Sequence, residues 1–250
     1  MSRDLALILD SWDYDSKGPN VSRILGLDGS EKIQTRLDLG VLQMEPSGRP
    51  DGQTPHGCDT LLDYYHQRMS GYDPLLAYED ELALGRDECN ELKQEALQYY
   101  HRYQSVFLLG DYRQVLSDTD HNLRLFDLVK EFARDPEDRL SLEPFRPHVL
   151  MMQARARACL LLEEQEFDGA LELVEEGVEE IEEFFRSVDR DDLIESSREI
   201  EFLRDWGQNI QSRRPLSHEE RLKRELESAV ESENYERAAE LRDELRGSRA

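Results

Sequence analysis

From Cys58 almost to the C-terminus, apolar residues recur at every third or fourth position, and this period restricts the segment to amphipathic helices. The clearest run is Ala170, Val174, Val178, Ile181 and Phe185, with spacings of 4, 4, 3 and 4, which puts all of them on one helix face. Leu61, Tyr65 and Met69 form a shorter run, and Leu92, Ala96, Tyr99, Tyr103 and Phe107 a longer one. Tyr112, Leu116, Thr119, Leu123 and Phe126 follow, then Val149, Met152, Ala156 and Cys159. Leu193, Ile200, Leu203 and Ile210 complete the series. Asp73-Pro74 has the form of an N-cap with proline at the first helical position. Pro136, Pro144 and Pro147 mark a connection, since proline inside a helix loses a hydrogen bond and clashes. Long helices joined by short turns predict a mainly α fold, with an antiparallel helical bundle over residues 58–212.

Residues 1–57 are different. Gly18-Pro19-Asn20, Asp28-Gly29, Gly48 to Gly52 and Thr54-Pro55 interrupt the chain every ten to twenty positions. Between them, Ile33, Thr35, Leu37, Leu39 and Val41 alternate with polar residues or glycine, the period of a half-buried strand. With Val21–Leu27 before it and Asp28-Gly29 between, the segment predicts a small β-hairpin. A helix over Ser30–Met44 competes, using Ile33, Leu37, Val41 and Met44, but Gly40 opposes it by about 1 kcal/mol.

Composition removes several function classes. The chain holds 56 acidic and 31 basic residues, a formal charge of −25, while 38% hydrophobic residues still suffice for a core. Such acidity opposes direct nucleic-acid binding and adsorption to anionic membranes. No apolar run approaches the roughly 20 residues that span a bilayer. Leu5 to Leu9, flanked by Asp4 and Asp10, does not have the form of a secretion signal. Cys58, Cys89 and Cys159 are too few and too scattered for a disulfide scaffold, which fits a reducing cytoplasm.

Residues 216–247 stand apart. Ser217 and Glu220 form a capping box, and Glu219/Lys223 and Glu220/Arg224 are i, i+4 pairs in the favourable order. Leu222, Leu226, Ala229 and Val230 line one face. Asn234 is a candidate N-cap for a second helix, with Tyr235 at its start, Ala238, Leu241 and Leu245 on its face and Gly247 as its stop. Basic and acidic residues nearly cancel from Arg213 to Ala250, nine against ten, so the large negative charge lies elsewhere. Two helices of this length are marginal alone, because isolated helices below ~12–15 residues hardly form in water. The hairpin's apolar face therefore needs a surface to pack on.

At these positions the chain resembles the UVR motif, the helical hairpin named for the bacterial excision-repair proteins UvrB and UvrC. The elements that carry the resemblance are Leu222, Leu226 and Ala229, then Asn234-Tyr235-Glu236, Ala238-Ala239 and Leu241-Arg242-Asp243 with Leu245. The resemblance implies protein–protein contact, two such hairpins from different chains packing as four helices. Motifs of this kind also occur in the activator of the bacterial protein-arginine kinase and in some Clp-type ATPases. The implied partner-binding residues are Leu222, Leu226, Tyr235, Ala238, Ala239, Leu241, Arg242 and Leu245. Elsewhere the likeness to repair proteins stops: there is no GxxxxGK[ST] phosphate cradle and no paired CxxC. The segment Lys32 to Gly52 is similar to one in uncharacterised bacterial proteins that end in a UVR motif. Tyr112, Phe167 and Tyr235 each precede a small or branched residue by one turn, an arrangement that resembles the turns of tetratricopeptide-like helical hairpins.

Other chemistry is sparse. Arg36, Asp38, Arg49 and Asp51 compose a candidate ligand site, with Arg49 as an anion fork, against the alternative of a loop that merely covers one end of the bundle. His56, Cys58 and His66 fall one ligand short of a structural zinc site. Residues 163–183 hold eleven acids and no base, without the spacing of a calcium loop, and read as a solvated helix face. Tyr99, Tyr100 and Tyr103 share helical spacing with Leu92 and Ala96 and read as core. The expectation is a non-enzymatic adaptor without cofactor or metal that docks on a protein partner. An accessory of excision repair and an enzyme or ligand binder using residues 36–51 are the alternatives.

Overall fold

The computed structural model describes residues 5–15, 17–18, 20–70, 82–215, 218–232 and 234–247. Asp73-Pro74 and Ser217 lie outside these residues, as do the side chains of Glu219 and Glu220, so the caps and pairs expected there are not part of the description. The chain divides into two compact units, Met1–Gly207 and Gln208–Ala250.

The first unit opens with a helical turn, Ala6–Leu9, and a three-stranded antiparallel sheet of order β1-β2-β3: β1 Val21–Leu25, β2 Glu31–Leu37 and β3 Gly40–Met44. The expected hairpin is present, with Arg23 opposite Ile33. The stretch expected as one strand is instead two, folded back at Asp38-Leu39 so that Thr35 faces Leu42. The expected alternation of burial also fails in β2. Ile33 is buried, but so are Lys32 and Arg36, while Leu37 and Leu39 are exposed. Lys32 is held by Glu45, and Arg36 donates to the main-chain oxygens of Trp12 (3.2 Å) and Gly40 (3.3 Å). A long cationic side chain can lie inside when its donors are met.

The helices follow. Helix α1 spans Leu61–Ser70, α2 Arg86–Leu108, α3 Tyr112–Phe132, α4 Arg146–Glu163, α5 Phe167–Ser187 and α6 Arg198–Arg213. Helix α1 starts later than Cys58, because Thr60 caps it by accepting from the Asp63 N–H at 3.0 Å. In α2, Glu88 reaches back to the Gly85 N–H at 2.7 Å. Gly110, at φ +76°, turns the chain in the left-handed region open to glycine, and Asp111 caps α3 through the Gln114 N–H at 3.2 Å. The short connections make α2/α3 and α4/α5 antiparallel hairpins. Pro147 lies in the first turn of α4, where its missing N–H costs nothing. Helix α3 packs on both α2 and α4, so its buried face is wider than expected. Val115, Thr119, Asn122 and Val129 are buried with Phe126, whereas Tyr112, Leu116 and Leu123 are only half-buried.

The α5 stripe is buried throughout, from Ala170 to Phe185. Beside it, Gly177 allows a close approach to α4: a Cβ there would sit 2.3 Å from the Ala154 Cβ. Since the Ala154 Cβ is fixed to its backbone, the helices would have to part. Gly177→Ala is therefore expected to destabilise the fold by about 1–3 kcal/mol, despite the ~1 kcal/mol gain in helix propensity. A urea-unfolding midpoint equal to or above that of the native chain would contradict this packing.

The second unit contains the end of α6 and two further helices, α7 His218–Glu231 and α8 Tyr235–Gly247. Helix α8 begins on Tyr235, and the Asn234 side chain accepts from the Arg237 N–H at 3.3 Å, which realises the expected N-cap.

Candidate functional site

The C-terminal hairpin closes its own seam. Leu222 and Ala229 of α7 meet Ala238 and Leu241 of α8, with Leu226 and Leu245 packed at the edges. Leu241 is 1% exposed. The Asn234 N–H donates to the Ala229 carbonyl at 2.8 Å, tightening the turn, and Arg237 pairs with Glu225 across the two helices at 3.5 Å. Such an exposed ion pair contributes little, ~0–1 kcal/mol, so the apolar seam carries the hairpin.

The eight residues expected to bind a partner thus separate into two groups. Leu222, Ala238 and Leu241 are buried in the seam, and Leu226 and Leu245 flank it. Tyr235, Ala239 and Arg242 are exposed, and they lie at i, i+4 and i+7 along one face of α8. Tyr235 is 67% exposed, and Val230 of α7 is 50% exposed. Spacing could not distinguish the inner set from the outer, because both repeat at helical intervals.

The structure does not assemble Arg36, Asp38, Arg49 and Asp51 into one site. Arg36 is buried against the Trp12 and Gly40 carbonyls, and Asp38 turns the chain by accepting from the Leu39 N–H at 2.9 Å. Only Arg49 and Asp51 meet, at 3.1 Å, and both bond to Gln98 of α2. His56, Cys58 and His66 are likewise engaged elsewhere. His56 stacks on Tyr64, Cys58 donates to Gln67 and His66 contacts Arg124. Among the described residues, no group of three or more His, Cys, Asp or Glu is placed to hold a metal ion.

A polar centre that periodicity did not reveal lies between α2, α3 and the loop after β3. Arg102 and Asp118 are buried as a two-pronged ion pair, Nε to Oδ2 at 2.8 Å and Nη2 to Oδ1 at 2.7 Å. Arg102 Nη1 donates to the carbonyls of Glu45 (3.1 Å) and Gly48 (2.7 Å), and Tyr99 also donates to Gly48. Two helical turns before Arg102, Glu95 is wholly buried. Its carboxylate accepts from the Leu61 and Leu62 N–H groups at 2.8 and 3.2 Å, and lies 3.1 Å from His121 Nε2. His121 stacks on Tyr99 with ring centres 3.6 Å apart. Burial pushes the Asp118 carboxyl above its ordinary range while Arg102 pulls against it, and burial likewise raises Tyr99. Asp118 and the loop carbonyls take up the Arg102 donors, which joins the loop after β3 to α2 and α3. Nearby, the Asn122 amide donates to the Ala96 carbonyl at 3.1 Å, but its buried Oδ1 accepts from no described group.

With this geometry in view, comparison with known proteins finds one family. The UvrB/uvrC motif matches residues 220–250, the hairpin and the residues just beyond it. No curated protein matches the chain, and no solved structure does. The C-terminal segment is thus a UVR motif. Among the described residues, no helix is long and apolar enough to cross a membrane.

If the polar centre holds the loop to the helices, Asp118→Ala should cost about 3–5 kcal/mol by leaving Arg102 buried and unpaired. Adding Arg102→Met should then cost far less than it does alone. A double-mutant cycle by urea unfolding tests this, and strictly additive losses would contradict it.

Proposed function

We propose that this chain is a non-catalytic adaptor, acting in a reducing cytoplasm, that docks on a protein partner through its UVR hairpin. The observation that carries this reading is the exposed stripe of Tyr235, Ala239 and Arg242 on a hairpin of 14 and 13 residues. An aromatic and an arginine bracketing a small residue make a compact docking face, since Tyr and Arg are enriched at the energetic centres of interfaces. Helices this short, with a seam of six side chains, gain most from a second surface. The fitting partner is another hairpin of the same kind, on a second copy or on a different protein. Three free cysteines agree with the reducing compartment. The name of the motif supports a second reading, an accessory of excision repair, in which the hairpin docks on a repair subunit.

Titration calorimetry of the full chain against a UVR-bearing protein tests the proposal, with sedimentation for self-association. Ala239→Glu is expected to weaken binding at least tenfold and leave the far-ultraviolet circular dichroism unchanged, because the residue is exposed. Leu241→Asp is expected to remove both binding and the helical signal of the tail. Binding by Ala239→Glu equal to that of the native chain would remove this face as the docking surface.

A further inference from the structure

The polar centre between α2, α3 and the loop after β3 opens to water through a small pit of about 260 Å³, which has no part in the hairpin reading. Ser47 of the loop and Ser117, Asp120, His121 and Arg124 of α3 line it, together with Arg102 of α2. His121 gives the pit its chemistry. Its Nε2 lies 3.1 Å from Glu95, and its ring is stacked on Tyr99. The Glu95 carboxylate accepts, so in the neutral ring the proton sits on Nε2 and Nδ1 carries the free lone pair. Among the described residues Nδ1 has no partner, yet it is not sealed off. The buried side-chain polar atoms left unpartnered there are Asn122 Oδ1 and Arg155 Nε, and the His121 side chain keeps 11% exposure in the lining of the pit.

Three donors share this lining. The Ser47 and Ser117 hydroxyls meet no protein partner among the described residues. Ser105 and Thr119, on the same two helices, instead turn their hydroxyls back to carbonyls four residues earlier, at 2.7 and 2.8 Å. Arg124 supplies the cation. Its guanidinium contacts His66 at 3.2 Å and reaches Asp120 only at 4.0 Å, the limit of an ion pair, whereas Arg102 is already paired with Asp118. A fitting guest is small, accepts from a guanidinium and two hydroxyls, and donates one proton to a ring nitrogen. Hydrogen phosphate meets all of these demands. Asp120 in the same lining weakens the pull on anions in general, which leaves the shared proton as the selective contact. We propose that this pit binds inorganic phosphate, with its P–OH donating to His121 Nδ1 and its other oxygens accepting from Ser47, Ser117 and Arg124.

In mildly alkaline buffer, hydrogen phosphate and sulfate are tetrahedral dianions of similar size, and only the first carries a proton. Titration calorimetry of the full chain should show one saturable site for phosphate and at least tenfold weaker binding of sulfate, because a site built to accept a hydrogen bond rejects the analogue that lacks the donor. Arg124→Gln should weaken phosphate binding at least tenfold and Ser117→Ala at least threefold, both at exposed positions. Arg113→Gln makes the same change of charge at an exposed position of α3 outside the lining and should leave binding within twofold. Absence of saturable binding, sulfate bound as tightly as phosphate, or equal losses in Arg124→Gln and Arg113→Gln would each overturn the proposal. The phosphate and sulfate pair is read on the native chain, so the result does not depend on any variant folding.

Discussion

A buried arginine sets the terms for the first unit. Arg102 carries a charge that cannot remain in an apolar interior without partners, and an unpaired buried charge costs several kcal/mol. Asp118 meets it with both carboxylate oxygens, and the Glu45 and Gly48 carbonyls take up a remaining donor. These groups come from α2, α3 and the loop after β3, so one side chain ties the sheet's exit to the helical core. Gly48 sits at φ +63°, a conformation that lets the loop turn its carbonyl toward the guanidinium without Cβ strain. A shifted loop would leave the charge unmet, which selects this arrangement over neighbouring ones.

Glu95 repeats the logic two turns earlier. Its carboxylate supplies acceptors to the first free N–H groups of α1, where the helix dipole also favours negative charge. Arg49 approaches it at 3.6 Å, and His121 at 3.1 Å. Residues 95, 99 and 102 thus form a polar face on α2, running beside the apolar face of Leu92, Ala96 and Tyr103. The residues that resembled a ligand site on paper, Arg49 and Asp51, are the outer edge of this fastening.

The second unit is built on opposite terms. Its seam is purely apolar and formed by small or medium side chains, and its ion pairs are exposed. Among the described residues no buried charge fixes the hairpin, and its outer face carries Tyr235 in contact with water. One chain therefore combines a body locked by internal polar contacts with a small element whose outward chemistry suits association.

Much was legible from spacing. The α5 stripe is buried as its spacing requires, Tyr112, Phe167 and Tyr235 each begin a helix, and the UVR hairpin has the Asn234 cap and the seam expected of it, except that Val230 faces out. Each depends on neighbours within a turn or two, where helix geometry alone dictates which side chains meet. The third strand was missed because Gly40, which closes the Asp38-Leu39 turn, falls at a polar position of an otherwise unbroken alternation. Glu95 and Arg102 were missed because a charged residue beside an apolar stripe reads as the solvated face of a helix. Only tertiary contact reverses that reading, since Glu95 and Arg102 meet groups 16 to 57 positions away in the chain. The sequence by itself determined the helices, their apolar faces and the terminal motif, because these are local matters of period and capping. The tertiary structure decided which charges lie inside and which of the hairpin's residues face out, because burial is a property of the whole packed set of elements and not of any one of them.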